Sequence, residues 1–173
     1  MPVPERITWA VEQLAVEPAD RFLEIGCGRG VAVELICEQL DGGHVLAIDR
    51  SATAIEAAVQ RNARFVAAGS AAFEVVPVED AVLGAAQFDK VFAININLFW
   101  TRTPTVELAA IKRALTPSSA LYLFYEPPSA SRAADIEKRT VPHLDAAGYA
   151  ARVVTDETNK GAALLGLIAR PVT

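Results

Sequence analysis

The densest chemistry in this sequence is the stretch Leu23-Glu24-Ile25-Gly26-Cys27-Gly28-Arg29-Gly30. Three glycines at alternate positions let the chain turn tightly and let a ligand touch bare backbone. The stretch leaves one predicted strand and opens a predicted helix, the context in which such a loop holds a nucleotide-type ligand. Asp49 ends the next predicted strand, with Arg50 directly after it. A carboxylate at that spacing can accept hydrogen bonds from both hydroxyls of a ribose. Its plainer role would be to cap the helix that follows.

Two details bear on which nucleotide the loop would hold. A dinucleotide fingerprint runs G-x-G-x-x-G, whereas here the third glycine comes one residue early and Val31 stands in its place. Glu24 also precedes the loop. An acidic group there would repel a pyrophosphate, but it suits a ligand that carries an ammonium and a sulfonium. Both details favour S-adenosylmethionine over NAD.

The elements that must position these residues follow from hydrophobic spacing. The pattern predicts helices over 4–16, 31–40, 52–62 and 131–147, with another starting at Thr103-Pro104 and stopping at Thr116-Pro117. Strands are predicted over 22–25, 44–48, 73–76, 88–94 and 121–125, then two more over 150–156 and 162–169. Strands alternating with helices imply a parallel sheet with helices on both faces. The loop over 157–161 is too short for a helical crossover, so the last two strands should form an antiparallel hairpin. Neither a repeat nor a linker interrupts the pattern, and residues 1–173 read as a single domain.

Four segments together resemble class I S-adenosylmethionine-dependent methyltransferases. They are Glu24-Ile-Gly-Cys-Gly-Arg-Gly30, Ala47-Ile-Asp49-Arg-Ser51, Val78-Glu-Asp80-Ala81 and Phe88-Asp89-Lys-Val91. The resemblance covers residues 20–126 and continues into the closing hairpin. It implies a doubly wound, Rossmann-like, seven-stranded α/β sheet, mostly parallel, with the antiparallel final strand inserted beside the fifth. It also assigns cofactor-binding roles to Glu24, Gly26, Cys27, Gly28, Gly30, Asp49 and Arg50. By the same resemblance Asp80 would meet the adenine amino group, Glu79 would line its pocket, and Asn95 would contact the methionine amine through backbone.

The methyl acceptor is less defined. Asn95-Ile-Asn97-Leu-Phe-Trp100 lacks the prolines found here in methyltransferases that act on nucleic acid bases or glutamine. Phe99 and Trp100 would either line an acceptor pocket or pack beneath the next helix. The two asparagines would serve the acceptor or only satisfy local backbone. Tyr125 and Glu126 end the fifth strand on the same sheet edge, before Pro127-Pro128. Asn97, Trp100, Tyr125 and Glu126 are therefore the acceptor candidates. The helix over 1–19 that carries Trp9 is a candidate lid. No general base stands out, since His44 and His143 read as structural or solvated. Attack on a sulfonium methyl needs chiefly that both reactants be held together.

Composition narrows the rest. A net charge of −5 with scattered lysines argues against a nucleic acid partner. No apolar run approaches the ~18 residues of a membrane span, and the N-terminus predicts no signal peptide. Cys27 and Cys37 form neither a metal pattern nor a disulfide framework, and two reduced thiols suggest the cytoplasm. The expectation is thus an enzyme that methylates a small molecule, with a non-catalytic cofactor-binding module as the alternative. So small a domain is compatible with a homo-oligomer, in which a partner chain helps to close the pocket.

Overall fold

In the computed structural model, which describes residues 1–173, the chain forms seven helices and seven strands. The helices are α1 (Glu5–Leu14), α2 (Val31–Cys37), α3 (Ala52–Arg61), α4 (Ala63–Ala68), α5 (Leu98–Thr101), α6 (Thr105–Ala114) and α7 (Ala130–Ala146). The strands are β1 (Arg21–Ile25), β2 (His44–Asp49), β3 (Ala71–Val75), β4 (Phe88–Ile94), β5 (Leu115–Tyr125), β6 (Tyr149–Glu157) and β7 (Ala163–Pro171).

Successive side chains on a strand point to opposite faces, and this alternation sorts the core. Leu23 and Ile25 of β1, Val91 of β4 and Leu121 of β5 join one cluster with Leu108, Ile111, Ile136 and Leu144 from α6 and α7. Phe22, Phe92, Tyr122 and Phe124 join the other, with Trp9, Leu14, Val33, Ile36 and Ile55 from α1, α2 and α3. Both faces of the sheet are therefore covered, as a parallel sheet requires.

The strand order is β3-β2-β1-β4-β5-β7-β6. β7 lies antiparallel between β5 and β6, while the pairs among β1 to β5 are all parallel. The order reverses between β1 and β4, and ligands of open α/β sheets bind outside the carboxyl ends of the strands at such a point. The glycine-rich loop leaves β1 there, and Asn95 leaves β4 beside it.

The sheet agrees with the sequence expectation, and the differences are local. α4 was not expected, and it follows α3 with only Asn62 between them. α5 was not expected either. β5 begins at Leu115, directly after α6, and takes Pro117 into a stretch where its register against β4 jumps from Leu115 to Ala120. Proline lacks a donor for the ladder and is tolerated at such irregularities.

The helix expected as a candidate lid turns its Trp9 inward. Trp9 is 7% exposed and packs edge-on against Phe124, with ring centroids 5.5 Å apart. α1 is thus a structural layer, and only its first turn reaches the sheet's carboxyl edge, through Arg6 to Glu126 at 3.5 Å. Trp9→Ala is expected to lower stability by about 3–5 kcal/mol in urea unfolding. The folded mutant should keep its affinity for S-adenosylmethionine. Normal stability with lost affinity would restore the lid.

Candidate cofactor and acceptor clefts

The glycine-rich loop is held from two sides. Gly26 and Cys27 donate their backbone N–H groups to the Ile48 carbonyl at 2.8 and 3.1 Å. Gly28 donates to Asp49 Oδ2 at 2.9 Å. The other oxygen, Oδ1, accepts from Ser51 at 2.9 Å, and Ser51 caps α3 by accepting from Ala54. On its helix side the loop sits beneath α3, where Asn62 donates to the Gly30 carbonyl at 3.0 Å. A Cβ on Gly30 would lie 2.6 Å from Asn62 Nδ2 and 3.0 Å from Ala58 Cβ. A Cβ on Gly26 would run into the Ile96 side chain. Nothing lies within 4 Å of where a Gly28 Cβ would project, so that direction is open.

A cleft of about 730 Å³ opens over this loop. Ligand pockets range over about 300–1,000 Å³, so the volume suits a nucleoside-sized molecule. Of the residues expected to bind cofactor, Gly26, Asp49, Arg50, Glu79 and Asn95 line it. Glu24, Cys27 and Gly30 are buried and absent from the lining, and Gly28 lies half-buried outside it. Glu79 and Asp80 are neighbours on a 3-10 turn (Val78–Asp80), yet the cleft takes Glu79 and leaves Asp80 exposed outside. The sequence did not point to Val76, Pro77, Thr101 or Arg102, which also line the cleft. Pro77, which starts the 3-10 turn, was a local signal for a fixed loop; nothing local marks Arg102.

Burial raises the Glu24 carboxyl well above its usual range, and the nearby Asp49 charge raises it further. Its Oε2 has no hydrogen-bond partner. Two acids side by side, one with an orphaned oxygen, fit a ligand with a cationic group. The Cys27 thiol is also pushed up, first by burial and then by Glu24 and Asp49, so it is no nucleophile at neutral pH.

A second cleft of about 360 Å³ adjoins the first. The acceptor candidates Asn97, Trp100, Tyr125 and Glu126 all line it, and Asn95 and Asn97 line both clefts. The two asparagines also have local partners. Asn95 has a positive φ of 56°, and its Oδ1 accepts from Glu126 N at 2.9 Å. Asn97 Oδ1 accepts from Trp100 Nε1 at 3.2 Å. Phe99 and Trp100 divide the two roles open to them, with Phe99 fully buried and Trp100 in the cleft wall. The guanidinium groups of Arg132 and Arg139 lie over the Trp100 ring at 5.7 and 6.0 Å. Burial raises the Tyr125 phenol, whose hydroxyl donates to the Ile96 carbonyl at 3.1 Å. It is therefore a poor base. His143 Nδ1 lies 3.1 Å from the Phe99 carbonyl, consistent with a structural role.

A family model described as a methyltransferase domain matches residues 22–118. An uncharacterized methyltransferase of Bacillus subtilis strain 168, YdaC, is 26% identical over 145 residues, covering 82% of this chain and 77% of that protein. A SAM-dependent methyltransferase from Aquifex aeolicus has a similar fold, with TM-score 0.76, 18% identity and coverage of 96% of this chain and 89% of that one. Geranyl diphosphate C-methyltransferase from Streptomyces coelicolor A3(2), solved with Mg2+, geranyl diphosphate and S-adenosyl-L-homocysteine, has TM-score 0.73 at 13% identity, covering 96% and 78% of the two chains.

Two outcomes are expected of this site. Asp49→Ala should weaken S-adenosylmethionine binding at least tenfold in calorimetry, because charge-assisted hydrogen bonds contribute about 1.5–3 kcal/mol each. Unchanged affinity would remove Asp49 from the site. Glu24 supplies the second. A carboxyl raised in the folded state adds stability below its unfolded pKa, and that contribution is lost as pH rises through the folded value. A cationic ligand favours the charged form, so binding at a pH below the raised value of the free protein should release protons. Calorimetry in buffers of different ionisation enthalpy should detect that release, and Glu24→Gln should abolish it. Equal release from wild type and Glu24→Gln would rule Glu24 out as the source.

Proposed function

This chain belongs to the methyltransferase-domain family, whose methyl donor is S-adenosylmethionine, and from that premise we propose that it methylates a small molecule held beside Trp100. The observation that carries the acceptor class is the pair of joined clefts. The larger holds five of the expected cofactor residues, Gly26, Asp49, Arg50, Glu79 and Asn95, the smaller holds the acceptor candidates, and Asn95 and Asn97 form part of the wall of each. A volume of about 360 Å³ suits a small molecule. A net charge of −5 does not favour a nucleic acid backbone. No helix is long and apolar enough to cross a membrane, and the two buried free thiols fit a reducing compartment such as the cytoplasm.

In this reading Asp49 holds the ribose hydroxyls and Gly26 lets the cofactor lie against backbone. Glu24 sets a negative potential beside the methionine amine. S-adenosylmethionine supplies, when bound, a sulfonium methyl open to in-line attack. The chain's own contribution is to hold the acceptor against that methyl group, with Trp100 and Pro127 as apolar walls and Glu126 and Arg132 as polar ones. Juxtaposition of this kind reaches effective molarities of ~10⁵ M or more. An acceptor with a good nucleophile of its own then needs little help from a base.

The test is S-adenosylhomocysteine formation against a panel of small phenols, amines, thiols and acids, with protein and nucleic acid added as separate arms. Turnover on a small molecule is expected. Trp100→Ala should reduce it at least tenfold while changing cofactor affinity less than twofold. Methylation confined to the macromolecular arms would overturn the small-molecule reading. Equal losses of turnover and affinity would move Trp100 out of the acceptor cleft.

A further inference from the structure

The cofactor cleft lies between two walls. Asp49, Arg50 and the segment 76–79 form one, and residues 95–98 with Thr101 and Arg102 form the other. The contact of Arg102 with Glu79 is the one ion pair or hydrogen bond that joins the segment 76–79 to the wall opposite. Arg102 Nη2 lies 3.7 Å from Glu79 Oε2 and 2.8 Å from Glu107 Oε1. The two ends of this contact differ. The Glu107 side chain is 5% exposed, whereas those of Arg102 and Glu79 are 50% and 46% exposed.

We propose that Arg102 is a positioning residue of the cofactor site, a strap that is anchored on buried Glu107 and holds Glu79 across the rim of the cleft. The proposal rests on the reading that S-adenosylmethionine occupies this cleft. Glu107 stands in the first turn of α6, where the helix dipole favours a carboxylate. The contact with Glu107 is short and shielded from water, so removing its cation would be costly and the anchored end is firmly held. The outer end is longer and open to water. Its effect is therefore modest, screened by salt, and felt where Glu79 must stay against a bound ligand. One nitrogen of the guanidinium, Nη2, faces both carboxylates, and it stands one bond farther from the backbone than a lysine ammonium can reach. The strap consequently depends on arginine at 102 and not on positive charge alone.

Displacement of radiolabelled S-adenosylhomocysteine by excess unlabelled ligand reads the strap directly as a dissociation rate. Arg102→Ala should dissociate about two- to fivefold faster than wild type at low salt, the range of an exposed ion pair. Glu79→Gln should do the same. The double variant should be no faster than either single one, because both changes break one contact. Raising the salt should bring wild type toward the variants and leave Arg102→Ala nearly unmoved. A role for Arg102 confined to folding would change none of that salt dependence. Arg102→Lys keeps a cation for Glu107, so it is the variant to use if Arg102→Ala does not fold, and it too should dissociate faster. A wild-type rate in Arg102→Lys, or single effects that multiply in the double variant, would overturn the strap. If Asp49→Ala weakens binding while Arg102→Ala leaves the rate unchanged, the strap fails and the cofactor site stands. If wild type binds no S-adenosylhomocysteine, both fail together.

Discussion

The end of β2 takes over the backbone of the loop beside it, and the cofactor site depends on that junction. Ile48 accepts from Gly26 and Cys27, Asp49 accepts from Gly28, and Gly30 donates back to Cys27 within the turn. Four of the five loop N–H groups from Gly26 to Gly30 are thereby committed inside the protein. Phosphate-binding loops work the other way, with free N–H groups converging on anionic oxygens. This loop offers a ligand bare glycine backbone and an open surface, with few free donors for a pyrophosphate. Asp49 serves twice in the arrangement. One carboxylate fixes the loop, caps nothing itself, and still faces the cleft with lone pairs left for a ribose.

Behind that junction lies a buried carboxyl group without a full set of partners. Glu24 is buried beneath the loop, close enough to Asp49 for the two acids to repel, and one of its oxygens has no donor. A buried polar group without a partner is costly. It persists most readily where a ligand completes it. The donors missing from the loop and the cation missing beside Glu24 describe the same ligand from two sides: a nucleoside without phosphates that carries positive charge. S-adenosylmethionine has both properties.

The sheet was legible in the sequence because its signals are periodic and redundant. Phe88 to Ile94 read as a strand and is one, and the helix read over 52–62 forms as α3. What was not legible depends on direction or on distant contacts. Trp9 was placed correctly on a helix, but its position before β1 did not say that its indole points into the core. Glu79 and Asp80 are adjacent on a 3-10 turn, where successive side chains project about 120° apart, so a motif match does not choose between them. Gly26 and Gly30 belong to one motif and do different work, the first facing Ile96 and the cleft, the second sitting beneath α3. α4 follows α3 too closely for spacing to separate them, since only Asn62 stands between and its amide donates to carbonyls without capping α4.

The acceptor cleft shows why the cofactor half of such a site is readable and the acceptor half is not. α5 has only four residues, and a helix so short is not stable alone. Other elements hold it in place. α7 supplies Arg132 and Arg139 over Trp100, and His143 against the Phe99 carbonyl. Within its own segment, Asn97 holds the Trp100 indole N–H. Trp100 therefore takes its position in part from Arg132 and Arg139, more than 30 positions away in the chain, and neither lines the cofactor cleft. Substitutions along that face of α7 would reshape the acceptor cleft and leave the junction of β2 with the glycine-rich loop intact. The glycine-rich loop and Asp49 are fixed by hydrogen bonds to the end of β2. The Trp100 side of the smaller cleft is fixed by packing between α5 and α7, whose side chains can change together without disturbing the sheet.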